Sequence, residues 1–277
     1  MSLDNSNLDG GSEIGLYFYS AATHKGDVRE NMEDAYAIHK LTPDNGETYT
    51  LFMVLDGHGG SDAVHLVLDM FPTLLEEQLS ACLKEDVKTF RMTAIRRAFN
   101  LCEKEAQRMH LKSGTTLSIV LFEHKSKEAW SANVGDSTTY IKDEGCKIRK
   151  ISQDHSVHLK CERERVEKTH IIDESYISIK GGDSTLNMTR SIGDIDIVTD
   201  ATPYIKRIPS WGKYIVMATD GVWDVMTPKE IANIWSQCKD PTKCADDILQ
   251  IRNEKEQHDN SCIITIEFIN KLNNEEE

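Results

Sequence analysis

The sequence has 277 residues, 39% hydrophobic and 28% charged, enough chain to bury a core without disulfide or structural-metal staples. Its 46 acidic residues against 32 basic ones give a net charge of −14. That balance counts against nucleic acid or anionic lipid as a partner, because both are bound through Lys and Arg, and no apolar run approaches the roughly 20 residues of a membrane span.

Residues 1–13 are polar, with neither the basic start and apolar centre of a signal peptide nor a Met-Gly start for myristoylation. They read as a disordered leader. One domain is expected over 14–270, since no repeat or linker divides it, followed by a solvated acidic tail over 271–277. Strands are predicted at Gly15–Ala22, Ala35–Leu41 and Thr48–Leu55. Two long helices, Ser61–Leu83 and Val87–Leu111, come next, with apolar residues at helical spacing. Four strands follow at Thr115–Phe122, Glu128–Val134, Thr138–Lys142 and Lys147–Ile151. Their connecting turns are too short for crossover helices, which predicts antiparallel pairing.

Further strands are expected at Tyr176–Ile179, Thr185–Thr189, Pro203–Ile208 and Lys213–Ala218. Helices at Pro228–Gln237 and Pro241–Arg252 each start on a proline behind an N-cap, Thr227 or Asp240. Ser261–Phe268 is the last strand. About a dozen strands and two helix pairs predict an α+β fold, a four-layer α-β-β-α sandwich of two antiparallel sheets. The seven cysteines (Cys82, Cys102, Cys146, Cys161, Cys238, Cys244 and Cys262) include no C-x-x-C pair. They read as free thiols in a reducing compartment, which points to the cytoplasm or nucleus.

The chemistry concentrates at strand ends. The apolar run Leu51–Leu55 delivers Asp56 into a glycine-rich turn, Gly57-His58-Gly59-Gly60, and Tyr214–Ala218 leads to Asp220-Gly221 with Asp224 just beyond. Asp259 directly precedes the last strand, Glu33 and Asp34 precede another, and Asp136 ends a third. Carboxylates gathered at adjoining strand ends repel one another unless a cation sits among them. Asp and Glu oxygens, with no His or Cys at ligand spacing, suit Mg²⁺ or Mn²⁺ and disfavour Zn²⁺.

These segments resemble the metal-dependent serine/threonine protein phosphatases of type 2C. The matching pieces are Arg29 with Met32-Glu33-Asp34, Asp56 to Gly60, Ser113-Gly114-Thr115-Thr116, Asn133 to Ser137, Ser152 to His155, Thr189 to Asp194, Asp220 to Asp224, and Asp259-Asn260. They stand in the family's order and span essentially the whole domain. The resemblance implies the same sandwich and hydrolysis of phosphoserine or phosphothreonine in protein substrates by a hydroxide bridging two Mg²⁺ or Mn²⁺ ions. Asp56 would bridge the ions, with the Gly57 carbonyl, Asp220 and Asp259 completing the set. Glu33 and Asp34 would act through water, and Asp136 and Asp224 would hold a weaker third ion. Arg29 would grip the phosphate and His58 would protonate the leaving oxygen. Family precedent implies a monomer.

Thr138 stands where the family often has Arg, and the flap 154–182 carries Ser156-Val157 and Thr169-His170 in place of more usual pairs. A binding scaffold that has lost catalysis is the alternative, and the retained Asp56, Asp220, Asp259 and Arg29 argue against it. Cys102 to Arg108 has the C-x5-R spacing of cysteine phosphatases, but the stretch lacks Gly and reads as the interior of a helix. Neither a G-x-S-x-G elbow nor a phosphate-binding P-loop is present.

Overall fold

The computed structural model describes residues 8–13, 15–44, 46–81, 89–145, 147–179, 182, 184–197, 200–255 and 259–273. In chain order the elements begin with β1 (Leu8–Glu13), β2 (Tyr17–His24), β3 (Ala35–Leu41), β4 (Tyr49–Leu55) and the short β5 (Gly57–His58). Helices α1 (Asp62–Ala81) and α2 (Phe90–Arg108) follow. Then come β6 (Gly114–Thr115), β7 (Leu117–Glu123), β8 (Glu128–Val134), β9 (Thr138–Lys142) and β10 (Ile148–Lys150). The flap contributes α3 (Lys160–Val166), β11 (Ile171–Asp173) and β12 (Tyr176–Ser178). Last come β13 (Ile192–Gly193), β14 (Tyr204–Arg207), β15 (Tyr214–Ala218), α4 (Asp220–Trp223), α5 (Pro228–Gln237), α6 (Cys244–Asn253) and β16 (Ser261–Phe268).

Two antiparallel sheets carry the molecule, in the orders β1-β2-β16-β15-β9-β10 and β14-β8-β7-β4-β3. Strand alternation assigns the layers. In β4, Phe52 and Val54 point between the sheets, while Leu51, Met53 and Leu55 pack beneath α1 and α2. In β15, Ile215 and Met217 face the first sheet's partner, while Val216 and Ala218 face α5 and α6. Both central strands are therefore buried on two faces, which is why each reads as an unbroken apolar run. The expected four-layer sandwich is the observed one.

Several expectations change. Residues 8–13 belong to the expected leader but form β1, an edge strand paired with β2 from Leu8↔Ala22 to Glu13↔Tyr17. Its glycines serve close packing: a Cβ on Gly10 would stand 2.1 Å from the Thr242 carbonyl oxygen, and one on Gly11 would strike the Tyr19 ring. The tail starts later than expected. Leu272 is buried in the inter-sheet core, and Asn273 donates its backbone N–H to Lys127. Residues 1–7 and 274–277 of these two assignments, and the expected helix ends within 82–88, lie outside the described residues.

The run from β7 to β10 does not form one antiparallel meander. β7 pairs with β8 and β9 with β10, but the chain changes sheets between β8 and β9. Gly135, in the left-handed region at φ 84°, makes that crossing tight. Thr185–Thr189 contributes one isolated bridge, Ile177↔Leu186, in place of a strand. Thr227 caps α5 with a full capping box to Glu230, as its sequence predicts. Asp240 caps a 3₁₀ turn over Pro241–Lys243, and α6 begins one residue later.

Candidate active site

Four chain segments converge at one end of the sandwich. β4 ends at Leu55, and Asp56 is fixed by its own backbone: its N–H donates to Thr116 Oγ1 at 3.0 Å, and its carbonyl accepts from Thr116 N at 2.9 Å. β15 delivers Thr219 and Asp220. The Thr219 hydroxyl donates to Asp34 Oδ2 at 2.8 Å and accepts from Cys262 N at 2.9 Å, joining three strand ends. Asn260 ties in the remaining loop. Its Oδ1 accepts from Glu33 N at 2.7 Å, and its Nδ2 donates to the carbonyls of Lys25 and Asn31.

The carboxylates meet. Asp56 lies within hydrogen-bonding reach of both Asp34 and Asp220. Burial, then the charges of Asp34, Asp220, Asp136 and Asp259, push the Asp56 carboxyl well above the usual carboxylate range. Asp34 is raised well above it too, first by burial, and stands on the floor of the cluster against Asp56 rather than at its rim. Asp220 is raised by burial and by Asp259, and Asp224 by the same two causes. Asp136 is pushed up to about 7, chiefly by burial and secondly by Asp220, and its buried Oδ1 has no hydrogen-bond partner. Glu33 faces the glycine turn, where its Oε1 accepts from Gly60 N at 2.8 Å. A Cβ on Gly57 would lie 2.6 Å from the Glu33 carbonyl oxygen, so this turn admits only glycine.

Among the described residues, no three His, Cys, Asp or Glu side chains stand as a ready cage for a metal ion. Both Asp259 oxygens are engaged: Oδ2 takes Arg29 Nη2 at 2.7 Å and Oδ1 takes Asn260 N at 2.8 Å. The donor chemistry nonetheless fits a hard divalent cation. Several carboxylate oxygens crowd together, the buried Asp136 Oδ1 has no hydrogen-bond partner, and burial raises the cost of the charges on Asp34, Asp56, Asp136 and Asp220.

His58 sits on β5, which pairs with β6, which pairs with β13. This small sheet brings Asp194 beneath the ring. His58 Nε2 lies 2.8 and 2.9 Å from the two Asp194 oxygens, and its Nδ1 is buried without a partner. Ser191 donates to the same carboxylate. Asp194 itself takes the left-handed conformation, at φ 53°. A Cβ on Gly114 would collide with both Asp194 and His58 Nε2, so glycine there makes room for the pair.

Sequence reasoning assigned no role to Asp194, Asn260, Thr219 or Arg252. Arg252 is wholly buried. Its Nε and Nη2 donate to the Gly221 carbonyl at 2.8 and 2.7 Å, and Nη2 also reaches the Asp259 carbonyl at 3.1 Å. One guanidinium thus holds together the two turns that carry Asp220 and Asp259. A signal was available: Arg252 falls on the apolar stripe Ala245, Ile248 and Leu249 of α6, where a charge needs a reason. Arg252→Met is expected to cost about 3 kcal/mol of stability by orphaning two carbonyls, read as a lower midpoint in urea unfolding. A midpoint within experimental error of the parent would show that the clamp contributes nothing.

Glu103 of α2 supports the same region, accepting from Gly193 N at 3.0 Å and from Gln107 Nε2 at 2.8 Å. Burial pushes its carboxyl up to about 7 against those two bonds. The folded state therefore binds a proton that the unfolded chain has released, and stability falls as pH rises from about 4.5 to about 7. Glu103→Gln keeps the Gly193 contact through its amide oxygen, and its NH2 meets Gln107 once that side chain turns its own oxygen inward, all without the charge. Its stability advantage over the parent should grow across that window, to an order of 2 kcal/mol by pH 8. A difference that stays flat with pH would contradict the assignment.

A cleft of about 490 Å³ opens beside the acids, between the flap residues Ser156, His158 and Ser175 and the aromatic wall of Tyr140 and Trp223. Thr138, at the position where the resemblance leads one to expect Arg, donates to Asp154 Oδ1, and Lys150 pairs with the other oxygen of Asp154. The C-x5-R stretch is helical, and its Cys102 is fully buried, with burial first pushing the thiol up to about 12.

Comparison with known proteins gives one consistent result. The family described as Protein phosphatase 2C matches residues 19–261. Protein phosphatase 2C 70 of Arabidopsis thaliana is 28% identical over 94% of this chain, although the chain spans only 48% of that protein. Protein phosphatase 1K, mitochondrial, of Xenopus laevis is 29% identical, covering 92% of this chain and 69% of its own length. The crystal structure of serine-threonine phosphatase 2C from Toxoplasma gondii superposes with a TM-score of 0.76 at 18% identity, over 95% of this chain and 99% of that one. The structure of a C. elegans sex determining protein gives 0.75 at 21%, over 94% and 66%. At these identities the two structures speak for the fold alone.

Proposed function

The chain belongs to the protein phosphatase 2C family, and from that premise we propose that it is a Mg²⁺- or Mn²⁺-dependent phosphatase acting on phosphoserine and phosphothreonine in proteins. The observation that carries the reading is the meeting of Asp34, Asp56, Asp136 and Asp220, from separate segments, in one buried cluster with raised carboxyls, with the charge of Asp259 beside them. Asp56, the Gly57 carbonyl, Asp220 and Asp259 would hold two divalent ions, Asp136 and Asp224 a weaker third, and Glu33 and Asp34 their surrounding waters; such ions supply Lewis acidity and lower the pKa of water.

The chain's own residues divide the remaining work. Arg29 stands at the mouth of the cluster, half exposed, with Nη2 on Asp259. Its planar fork suits two oxygens of a phosphate dianion that the surrounding acids would otherwise repel. His58 would give its proton to the departing seryl or threonyl oxygen, while Asp194, hydrogen-bonded to Nε2, orients the ring. The cleft beside Tyr140 and Trp223 has room for the residues flanking the phosphorylated one. Monomeric action in the cytoplasm or nucleus completes the proposal, consistent with the free cysteines among the described residues, Cys82 and Cys146 lying outside them.

Hydrolysis of a phosphothreonine peptide and of p-nitrophenyl phosphate, with Mn²⁺ or Mg²⁺ and with EDTA, tests it. Turnover that requires the metal and vanishes with chelator is expected. Folded protein that turns over neither substrate at any metal concentration would leave the binding-scaffold reading.

A further inference from the structure

The sequence spaces Cys238 and Cys244 six positions apart, outside any C-x-x-C pattern, but the fold brings their side chains together. Cys238 is the C-cap of α5 and Cys244 the first residue of α6, with the 3₁₀ turn over Pro241–Lys243 folding the chain back between them. Cys238 packs against the apolar cluster that contains Cys244, and it touches Asp247, which lies one turn along α6 from Cys244. Cys238 Sγ also lies 3.3 Å from Asp247 Oδ2 and 3.1 Å from the Asp240 carbonyl. Cys244 is fully buried, while Cys238 is partly exposed and lines two open surface clefts, one of them about 440 Å³. An accessible thiol therefore stands in front of a protected one, which is the arrangement of an attacked and a resolving cysteine.

We propose that Cys238 and Cys244 are a peroxide-oxidisable dithiol that closes to a reversible disulfide, a modification site separate from the acid cluster and independent of the phosphatase reading. The chemistry balances without a further reactant. Cys238 gives its thiol proton to Asp247, and its sulfur attacks hydrogen peroxide; the O–O bond breaks, one oxygen stays on sulfur as the sulfenic acid, and the other leaves as hydroxide that takes the proton back from Asp247 to become water. Cys244 sulfur then attacks Cys238 sulfur, the S–S bond forms, the S–O bond breaks, and a second water departs with the Cys244 proton. Peroxide is reduced to two waters as two thiols become one disulfide.

The surroundings set the character of the couple. Burial and the neighbouring Asp247 push the Cys238 thiol up, and burial pushes Cys244 up further. Neither sulfur gains stability as a thiolate, so the reduced pair closes slowly and the disulfide, once formed, resists reduction more than a low-pKa pair would. Closure would pin the corner between α5 and α6.

The test is peroxide treatment of the whole protein, alkylation of remaining thiols and peptide mass spectrometry. The expected product links the Cys238 and Cys244 peptides, lighter by two hydrogens. Both thiols should disappear together and return together with dithiothreitol. In Cys238→Ser, loss of the Cys244 thiol should slow by roughly tenfold or more, because its exposed partner is gone. In Cys244→Ala, the oxidised Cys238 should be trapped by dimedone as the sulfenic acid. Circular dichroism establishes that each variant is folded, and the parent protein alone decides the matter if one is not. A parent in which exposed Cys161 is oxidised while Cys238 and Cys244 stay unlinked would overturn the proposal. So would accumulation of Cys238 sulfinic acid beside an intact Cys244 thiol.

Discussion

Asp56→Asn is expected to remove turnover, by about a thousandfold or more, while raising the melting temperature of the metal-free protein. The two effects share one cause. Asp56 is the acid that Asp34 and Asp220 both touch, and burial with four like charges makes its ionised form costly. A neutral amide of the same shape relieves that repulsion. The gain should be about 1–2 kcal/mol, a few degrees for a chain of this size. The same change removes the oxygen charge on which cation capture depends, so added Mn²⁺ should stabilise the parent and leave the variant almost unmoved. Retained turnover would show that the cluster is not the reacting centre. A lower melting temperature would show that Asp56 acts as a structural hydrogen-bond acceptor and is not held under repulsion.

His58→Gln should separate two substrates. A seryl or threonyl oxygen leaves poorly without a proton, whereas p-nitrophenolate leaves unaided. The kcat for a phosphoserine peptide is therefore expected to fall about a hundredfold, and that for p-nitrophenyl phosphate to stay within about threefold. Asp194→Asn is the sharper variant. The amide oxygen would still accept from Nε2–H of His58, but the side chain would carry no charge to support the protonated ring. A smaller loss is expected, about tenfold, again confined to the peptide. Equal losses on both substrates would mean that the pair only packs the turn around Gly114.

Much of this was legible in the chain because the local pattern and the global role coincide. Leu51–Leu55 and Tyr214–Ala218 are apolar throughout because both faces are covered, and the Asp-Gly that follows each marks the sheet's end. The acids at Asp56 and Asp220 could be paired on that basis, with Asp259 standing before the last strand, and in the structure the charges of Asp220 and Asp259 bear on Asp56. What was not legible depends on the third dimension. The residue types between β8 and β9 do not tell which sheet the next strand joins; the fold shows the chain crossing between sheets there, with Gly135 in the left-handed region. The strand at 8–13 is polar and glycine-rich, so it looks unstructured, yet it pairs through its backbone and its glycines fit against Thr242 and Tyr19. Asp194 was visible as part of a motif, but its contact with His58 crosses 136 positions. The nearness of Cys238 to Cys244 comes from a cap and a 3₁₀ turn that composition does not reveal.

The most direct measurement is the anomalous scattering of a crystal soaked in Mn²⁺. The account predicts two neighbouring manganese peaks within the cluster, with Asp56 oxygens between them and Asp220 and Asp259 among the ligands. It also predicts that the Asp259 carboxylate leaves Arg29 to make those contacts. Manganese bound only elsewhere on the acidic surface, with Asp259 still paired to Arg29, would contradict it.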